Sequence, residues 1–289
     1  MNPHANPPAL RLGIRAHDFG CDTPDRLAAR IATRGFSYVQ LALNKAIAGL
    51  NLSAGDLNSQ IAKEIGGAFA RHGVGIEVLG CYINPIHPDL ATRKKLLEFF
   101  KDHLCLARDF GCGIVALESG SVNEDYSPHR ANHDEAAFSE MLASISELVA
   151  EAEKLNVTVG FEAVHCHTVS TAQKMRRALD TIRSKNLRVV FDAANLLSLQ
   201  NFHEQARIIP EALDLLGDDI AVIHAKDFIA ENGAMKTVPA GRGQLNFAPV
   251  LNFIRAKNSG ISVLLEEADE TAAPLCAEFL QNQFSQETR

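Results

Sequence analysis

Residues 157–163, VTVGFEA, are followed by a Ser/Thr-capped helical pattern, STAQKMRRALDTI at 170–182, and by a second apolar run, LRVVFDAAN at 187–195. Strand, helix and strand in that order, each strand closing on one acid (Glu162, then Asp192), predict parallel strands joined by a crossover helix. Downstream the unit recurs: HEQARIIPEALDLLG is helical despite Pro210, IAVIHAKDF at 220–228 is strand seven, FAPVLNFIRAKN is a helix, and ISVLLEEA at 261–268 is strand eight. Upstream, LGIRA near Leu12, YVQLA at 38–42, GIEVLGCY at 75–82 and GIVALES at 113–119 read as strands one to four. Between them lie TPDRLAARIATRGF, capped by Thr23 with Pro24 in its first turn, then DLNSQIAKEIGGAFARHG, interrupted by a Gly pair, and a long helix opened by Pro88 and ended at Gly111. A helix from Glu135 to Lys154 precedes strand five.

Eight strand and helix pairs with near-continuous apolar strands predict an α/β fold of the (β/α)8 TIM-barrel type, a single domain over 1–289 with residues 1–10 a flexible N-terminus. A doubly wound nucleotide-binding sheet is disfavoured, because RAHDFGCDTP after strand one lacks GxGxxG, and no GxxxxGK[ST] occurs. No nucleotide cofactor is expected.

With 289 residues, 46% of them hydrophobic, the chain can bury a sizeable core unaided. A net charge of -7 argues against a protein that grips a phosphate backbone and favours a small polar metabolite. The six cysteines are scattered without CxxC, the N-terminal segment lacks a basic, apolar leader pattern, and no run of 18 apolar residues occurs. A cytoplasmic protein with no membrane or nucleic-acid partner is expected.

Four side chains, Glu162, Asp192, His224 and Glu266, each close a predicted strand. In a parallel barrel those ends share one mouth, so distant segments would supply one site for a divalent ion. Three carboxylates and one imidazole suit Mn2+ or Mg2+, with Co2+ or Zn2+ also compatible. Glu267 competes with Glu266, and strand alternation lets only one of the pair face the mouth; Glu266 is preferred. An ion chelating a keto oxygen and the neighbouring hydroxyl would stabilise an enediolate, with a flanking carboxylate taking the α proton. Each acid alone could instead cap a helix or pair with an arginine.

GFEAV, FDAAN, HAKDF and GRGQLNF carry a resemblance, over nearly the whole chain, to the sugar phosphate isomerase/epimerase family. These xylose isomerase-like barrels include D-tagatose 3-epimerase, inosose dehydratase, hydroxypyruvate isomerase and the endonuclease IV group. The resemblance implies that Glu162, Asp192, His224 and Glu266 are the metal ligands and that Glu162 and Glu266 are catalytic acid and base. Where the epimerase pattern has a histidine three residues after the strand-six aspartate this chain has Asn195, and where it has an arginine six residues after the strand-seven histidine it has Ala230. A dimer or tetramer is common in such barrels.

The expected function is therefore a metal-dependent epimerase or isomerase of a ketose or related keto-sugar. Dehydratase or lyase chemistry on an inosose or 3-oxo-glycoside, and a non-catalytic sugar- or metal-binding barrel, are the alternatives. A sugar or polyol would meet Lys226, Arg242, Glu118, His165, His17, His87, Asn84 and Asn195, all at or beyond expected strand ends. Each has a bland counterpart: a salt bridge for Lys226, a turn for Arg242, a polar rim for Glu118 and His17, structural hydrogen bonding for His165. SVNEDYSPHRANHD at 121–134 is long enough for a lid or a partner contact.

Overall fold

A computed structural model describes residues 9–257 and 260–286. Eight parallel strands close into a barrel: β1 (Arg11–Arg15), β2 (Tyr38–Leu41), β3 (Gly75–Gly80), β4 (Ile114–Glu118), β5 (Thr158–Glu162), β6 (Leu187–Asp192), β7 (Ile220–Ala225) and β10 (Ser262–Leu265). Around the ring they run in chain order, and β10 pairs with both β7 and β1. Outside lie α1 (Pro24–Thr33), α3 (Ser59–Arg71), α4 (Leu90–Leu106), α5 (Glu135–Leu155), α6 (Ala172–Ile182), α7 (Gln205–Leu216), α8 (Ala248–Lys257) and α9 (Ala272–Gln286), with the short α2 (Leu43–Ala46) after β2. Among the described residues no helix is long and apolar enough to cross a membrane.

Two apolar layers explain the continuous strand runs. Val78, Ala116, Val190, Val222 and Leu264 fill the barrel interior, while the opposite strand faces join the helices in the larger core. The parallel register sets polar ends level: Glu118 is opposite Glu162, and Asp192 is opposite His224.

Several local expectations are modified. Thr23 stands at the N-cap of α1, but its hydroxyl makes no capping hydrogen bond. The cap of α4 is Asp89, whose side chain accepts from the Thr92 N–H at 2.7 Å, and Gly111 closes the following 3-10 turn in the left-handed region. Strand seven does not run through Phe228. It leaves the barrel after Ala225, and residues 227–231 (β8, Asp227–Glu231) pair antiparallel with β9 (Ala234–Val238) in a hairpin turned by Asn232 and Gly233, both at positive φ. Of the expected flexible N-terminus, residues 1–8 lie outside the described residues; Leu10 is buried, and its N–H donates to Gln281 Oε1 at 2.9 Å.

The Gly pair does not break α3. A Cβ on Gly66 would stand 2.8 Å from the Phe110 carbonyl oxygen, so the bare Cα lets the 3-10 turn after α4 pack against the helix. Gly67 meets only the end of Arg71, at 3.6 Å. Alanine is worth up to about 1 kcal/mol over glycine in a helix, whereas forcing atoms into a packed backbone contact costs about 1–3 kcal/mol. Gly67→Ala is therefore expected to raise the unfolding midpoint in urea and Gly66→Ala to lower it; equal shifts of one sign would contradict the packing.

Candidate metal centre and active site

The C-terminal strand ends surround a cavity of about 400 Å³, lined by Arg15, His17, Lys45, Tyr82, Glu118, Tyr126, Glu162, Val164, Asn195, Lys226 and Glu266. At its floor Glu162, Asp192 and His224 each present a ligand atom, all within 4.8 Å of one another, and all three side chains are buried. Such a set can hold a divalent metal ion. Glu266 is not in that set, yet its Oε1 lies 3.3 Å from His224 Nδ1, the same distance as Glu162 Oε1. Its Oε2 accepts from Lys226 Nζ at 2.7 Å.

The buried polar atoms show how the centre is organised. His224 Nε2 is 2.7 Å from Gln40 Oε1, so the ring donates there and leaves Nδ1 aimed between the two glutamates. Gln40 is fully buried and its own Nε2 donates to the Tyr82 hydroxyl. Asp192 Oδ1 accepts the backbone N–H groups of Ala194 and Asn195 at 2.9 and 3.2 Å, which orients the carboxylate. Its Oδ2 is enclosed without a hydrogen bond of good geometry and faces Lys226 Nζ at 2.8 Å. Asn195 Nδ2 donates to Glu162 Oε1 at 2.7 Å. Buried carboxylates gathered around one imidazole nitrogen, with Asp192 Oδ2 already against the Lys226 ammonium, fit a cation well.

Electrostatics separate the two glutamates. Burial holds Glu162 above the usual carboxylate range, and Glu266 raises it further against the pull of His224. For Glu266 burial acts in the same sense, but Lys226, His224 and Arg15 outweigh it and hold the group well below that range. Burial likewise opposes charge on His224, yet Glu266, Glu162 and Asp192 raise it to about 9. The imidazolium therefore stabilises the metal-free fold fully below the ordinary value of 6.5, and that contribution is lost as pH rises through about 9. A metal must displace that proton. Mn2+ affinity is expected to climb with pH up to about 9 and then level, and calorimetry at pH 7 in buffers of different ionisation enthalpy should register about one proton released per ion. Zero release would contradict a charged His224.

Gln40 was not among the sequence candidates, although a lone amide within the apolar run YVQLA signals a buried partner. Gln40→Leu keeps the shape but removes the acceptor for His224 Nε2–H. Mn2+ binding should weaken about 10- to 100-fold. Unchanged affinity would show that the ring is oriented otherwise.

The remaining candidates divide by place. His17, Glu118, Asn195 and Lys226 line the cavity. Burial, with Arg15 and Lys45 nearby, lowers His17 to about 4, and Glu118 lies 3.1 Å from His167 Nδ1. Glu267 is turned to a positive φ and pairs with Arg15 at 3.0 Å, which leaves Glu266 in the mouth. His165 lines a neighbouring cavity with His129 and His133, and its backbone N–H donates to the Asn195 carbonyl. Asn84 is a buried peg: its Nδ2 donates to the Ser121 and Asn123 carbonyls and its Oδ1 accepts from the Ser121 N–H, pinning the 121–134 segment. Through Nδ1 His87 accepts the Asp89 N–H at the start of α4. Arg242 is exposed on the turn that packs against Phe279 of α9, and it does not line the cavity. Arg15, Lys45, Tyr82 and Tyr126 reach the mouth without having been singled out.

HAKDF and GRGQLNF are joined by one buried carboxylate. Asp227 Oδ1 accepts from the N–H groups of Phe228 and Leu245 at 2.8 and 2.7 Å, and Oδ2 from Gly241 and Gly243 at 3.1 and 2.9 Å. A Cβ on Gly243 would stand 2.2 Å from the Phe228 carbonyl oxygen, so only glycine lets that loop close over Asp227.

A family model describing a xylose isomerase-like TIM barrel matches residues 28–283. The chain belongs to that family. Among solved structures this xylose isomerase-like barrel is similar to a D-tagatose 3-epimerase-like protein (TM-score 0.73, 20% identity, covering 94% of this chain and 96% of that one). It is also similar to a D-psicose 3-epimerase (0.71, 14%, covering 95% and 99%) and to a 3-keto-D-glucoside 4-epimerase from E. coli (0.70, 17%, covering 94% and 99%). At these identities the likeness is one of fold. In a fusion of a xylose isomerase-like barrel with a 4-hydroxyphenylpyruvate dioxygenase (0.67, 18%), 90% of this chain covers 39% of the fusion. A search of curated proteins gives no match.

Proposed function

We propose that the protein is a divalent-metal-dependent epimerase or isomerase of a keto-sugar, with Glu162 and Glu266 as the proton-transferring groups and Glu162, Asp192, His224 and Glu266 as ligands of one Mn2+ or Mg2+ ion. The observation that carries this reading is that Glu162 Oε1 and Glu266 Oε1 each lie 3.3 Å from one imidazole nitrogen, His224 Nδ1, at the floor of an open polar cavity. The metal, when held by these residues, supplies Lewis-acid polarisation of a keto oxygen and its neighbouring hydroxyl. One glutamate removes the proton from the carbon between them, leaving its electron pair in the enediolate, and the other returns a proton. Return to the opposite face of that carbon inverts it, and return to the neighbouring carbon interconverts ketose and aldose. Lys226, 2.7 Å from Glu266 Oε2, and Asn195, 2.7 Å from Glu162 Oε1, hold both carboxylates in place. Epimerase names among proteins of like fold support the reaction class.

The test is solvent exchange: metal-replete protein in D2O incubated with ketoses, keto-glycosides and inososes, read by mass and proton spectra. Deuterium at the carbon beside the keto group, with an epimer or isomer as product, is expected. Loss of water from the product would instead mark a dehydratase, and no exchange with bound metal present would contradict proton transfer.

A further inference from the structure

The mouth contains three long cations, and two have acids of their own. Arg15 is held by Asp18 at 2.8 Å and Glu267 at 3.0 Å, and Lys226 by Asp192 and Glu266 at 2.8 and 2.7 Å. Lys45, on α2 directly after β2, lines the same cavity and has no carboxylate within ion-pair distance among the described residues. Its one contact of note is the face of Tyr82, with Nζ 5.1 Å from the ring centroid. Tyr82 is anchored through its hydroxyl to Gln40, so this platform is fixed to the metal centre's own support.

On the same wall stands His17, whose side chain makes no hydrogen bond among the described residues. Nδ1 is enclosed without a partner. With Nδ1 enclosed, Nε2 is the ring nitrogen left to meet a ligand, and the tautomer with its hydrogen there offers that ligand a donor. One ammonium and one imidazole N–H therefore await an acceptor beside the metal floor. Two side-chain donors and one formal charge match the two oxygens and single charge of a carboxylate. A phosphate dianion is more often cradled by rows of free backbone N–H groups, whereas those of Lys45, Ala46 and Ile47 are bonded within their own turn.

Resting on the reading that the mouth takes a keto-sugar, we infer that the substrate carries a carboxylate, as in a hexuronate-derived ketose or a keto-aldonate, and that Lys45 and His17 bind it. Carboxylate recognition fixes which end of the sugar lies over β1 and β2, and so which carbon faces Glu162 and Glu266.

The Mn2+-loaded full chain is titrated calorimetrically with D-fructose, D-fructuronate, 5-keto-D-gluconate and D-fructose 6-phosphate, and the same sugars are scored for deuterium exchange. At least one of the two carboxylates should bind ten or more times more tightly than fructose. Lys45→Met, which keeps the stem over Tyr82, should reduce that ratio to about one, Lys45→Glu should reverse it, and His17→Asn should lower it several-fold. Lys45 is exposed, so its replacement leaves the packed core untouched, and Lys45→Glu must still bind Mn2+ as wild type does. Equal affinity for fructose and both carboxylates, or a preference that survives Lys45→Met, would overturn the assignment; preference for the phosphate ester would overturn the carboxylate. Exchange into fructose with no carboxylate preference sinks this inference alone, whereas carboxylate preference without any exchange sinks only the proton-transfer reading.

Discussion

Replacing Glu162 by glutamine is expected to abolish deuterium exchange in the metal-loaded protein, with a fall in rate of about 10²- to 10⁴-fold, the range that positioned acid–base groups supply. The glutamine retains an oxygen for Asn195 Nδ2, so the local hydrogen bond survives and the loss reports on the carboxylate. Glu266→Gln should remove exchange to a similar degree but for an additional reason. It leaves Lys226 and Arg15 facing a neutral amide in a buried place, where breaking one side of an ion pair costs about 3–5 kcal/mol. Glu266→Gln is therefore expected to lower the unfolding midpoint as well, and Glu162→Gln much less so. Two variants with full exchange would remove both residues from the chemistry.

The largest loss of stability is expected from Asp227→Ala. One carboxylate accepts four backbone N–H groups from two segments, and alanine strands all of them with Asp227 only 1% exposed. A buried donor left unpaired costs about 1–3 kcal/mol, so even with partial relaxation the variant should lose about 3 kcal/mol or more in urea unfolding. Asp227→Asn keeps one acceptor but turns an amide donor toward one pair of N–H groups, and it should rescue only part of the loss. Because Asp227 follows Lys226 directly, Mn2+ affinity should also fall. A loss below about 0.5 kcal/mol, the scale of an ordinary surface change, would show that the loop closes without the carboxylate.

The barrel was legible because apolar strand runs and helical periodicity alternate along the chain, and parallel topology then places every strand's end at one mouth. That rule brought Glu162, Asp192 and His224 together from segments up to 62 residues apart, and put Glu266 against the same imidazole. The rule gave less where the chain leaves the barrel. Reading strand seven through Phe228 passed over the Asn232–Gly233 turn, a two-residue hairpin signal between β-forming runs. The HAKDF and GRGQLNF motifs suggested chemistry at Arg242, but their pairing reflects Asp227 bonding to the glycine-loop amides. Lys45, Tyr82 and Tyr126 were illegible for a different reason: their approach to the mouth depends on how the chain after β2, β3 and β4 folds back, which no local period encodes, whereas Arg15 closes β1 and was open to the same strand-end rule. Gln40 was the exception, a polar residue inside an apolar strand.

The proposed coordination of one ion by four side chains is tested directly by anomalous diffraction from crystals grown with Mn2+. The expected result is a single strong manganese peak bonded to His224 Nδ1 and to oxygens of Glu162, Asp192 and Glu266, with Lys226 Nζ drawn off at least one of its two carboxylates. A peak at any other place, or none at a manganese concentration that saturates calorimetric binding, would contradict it.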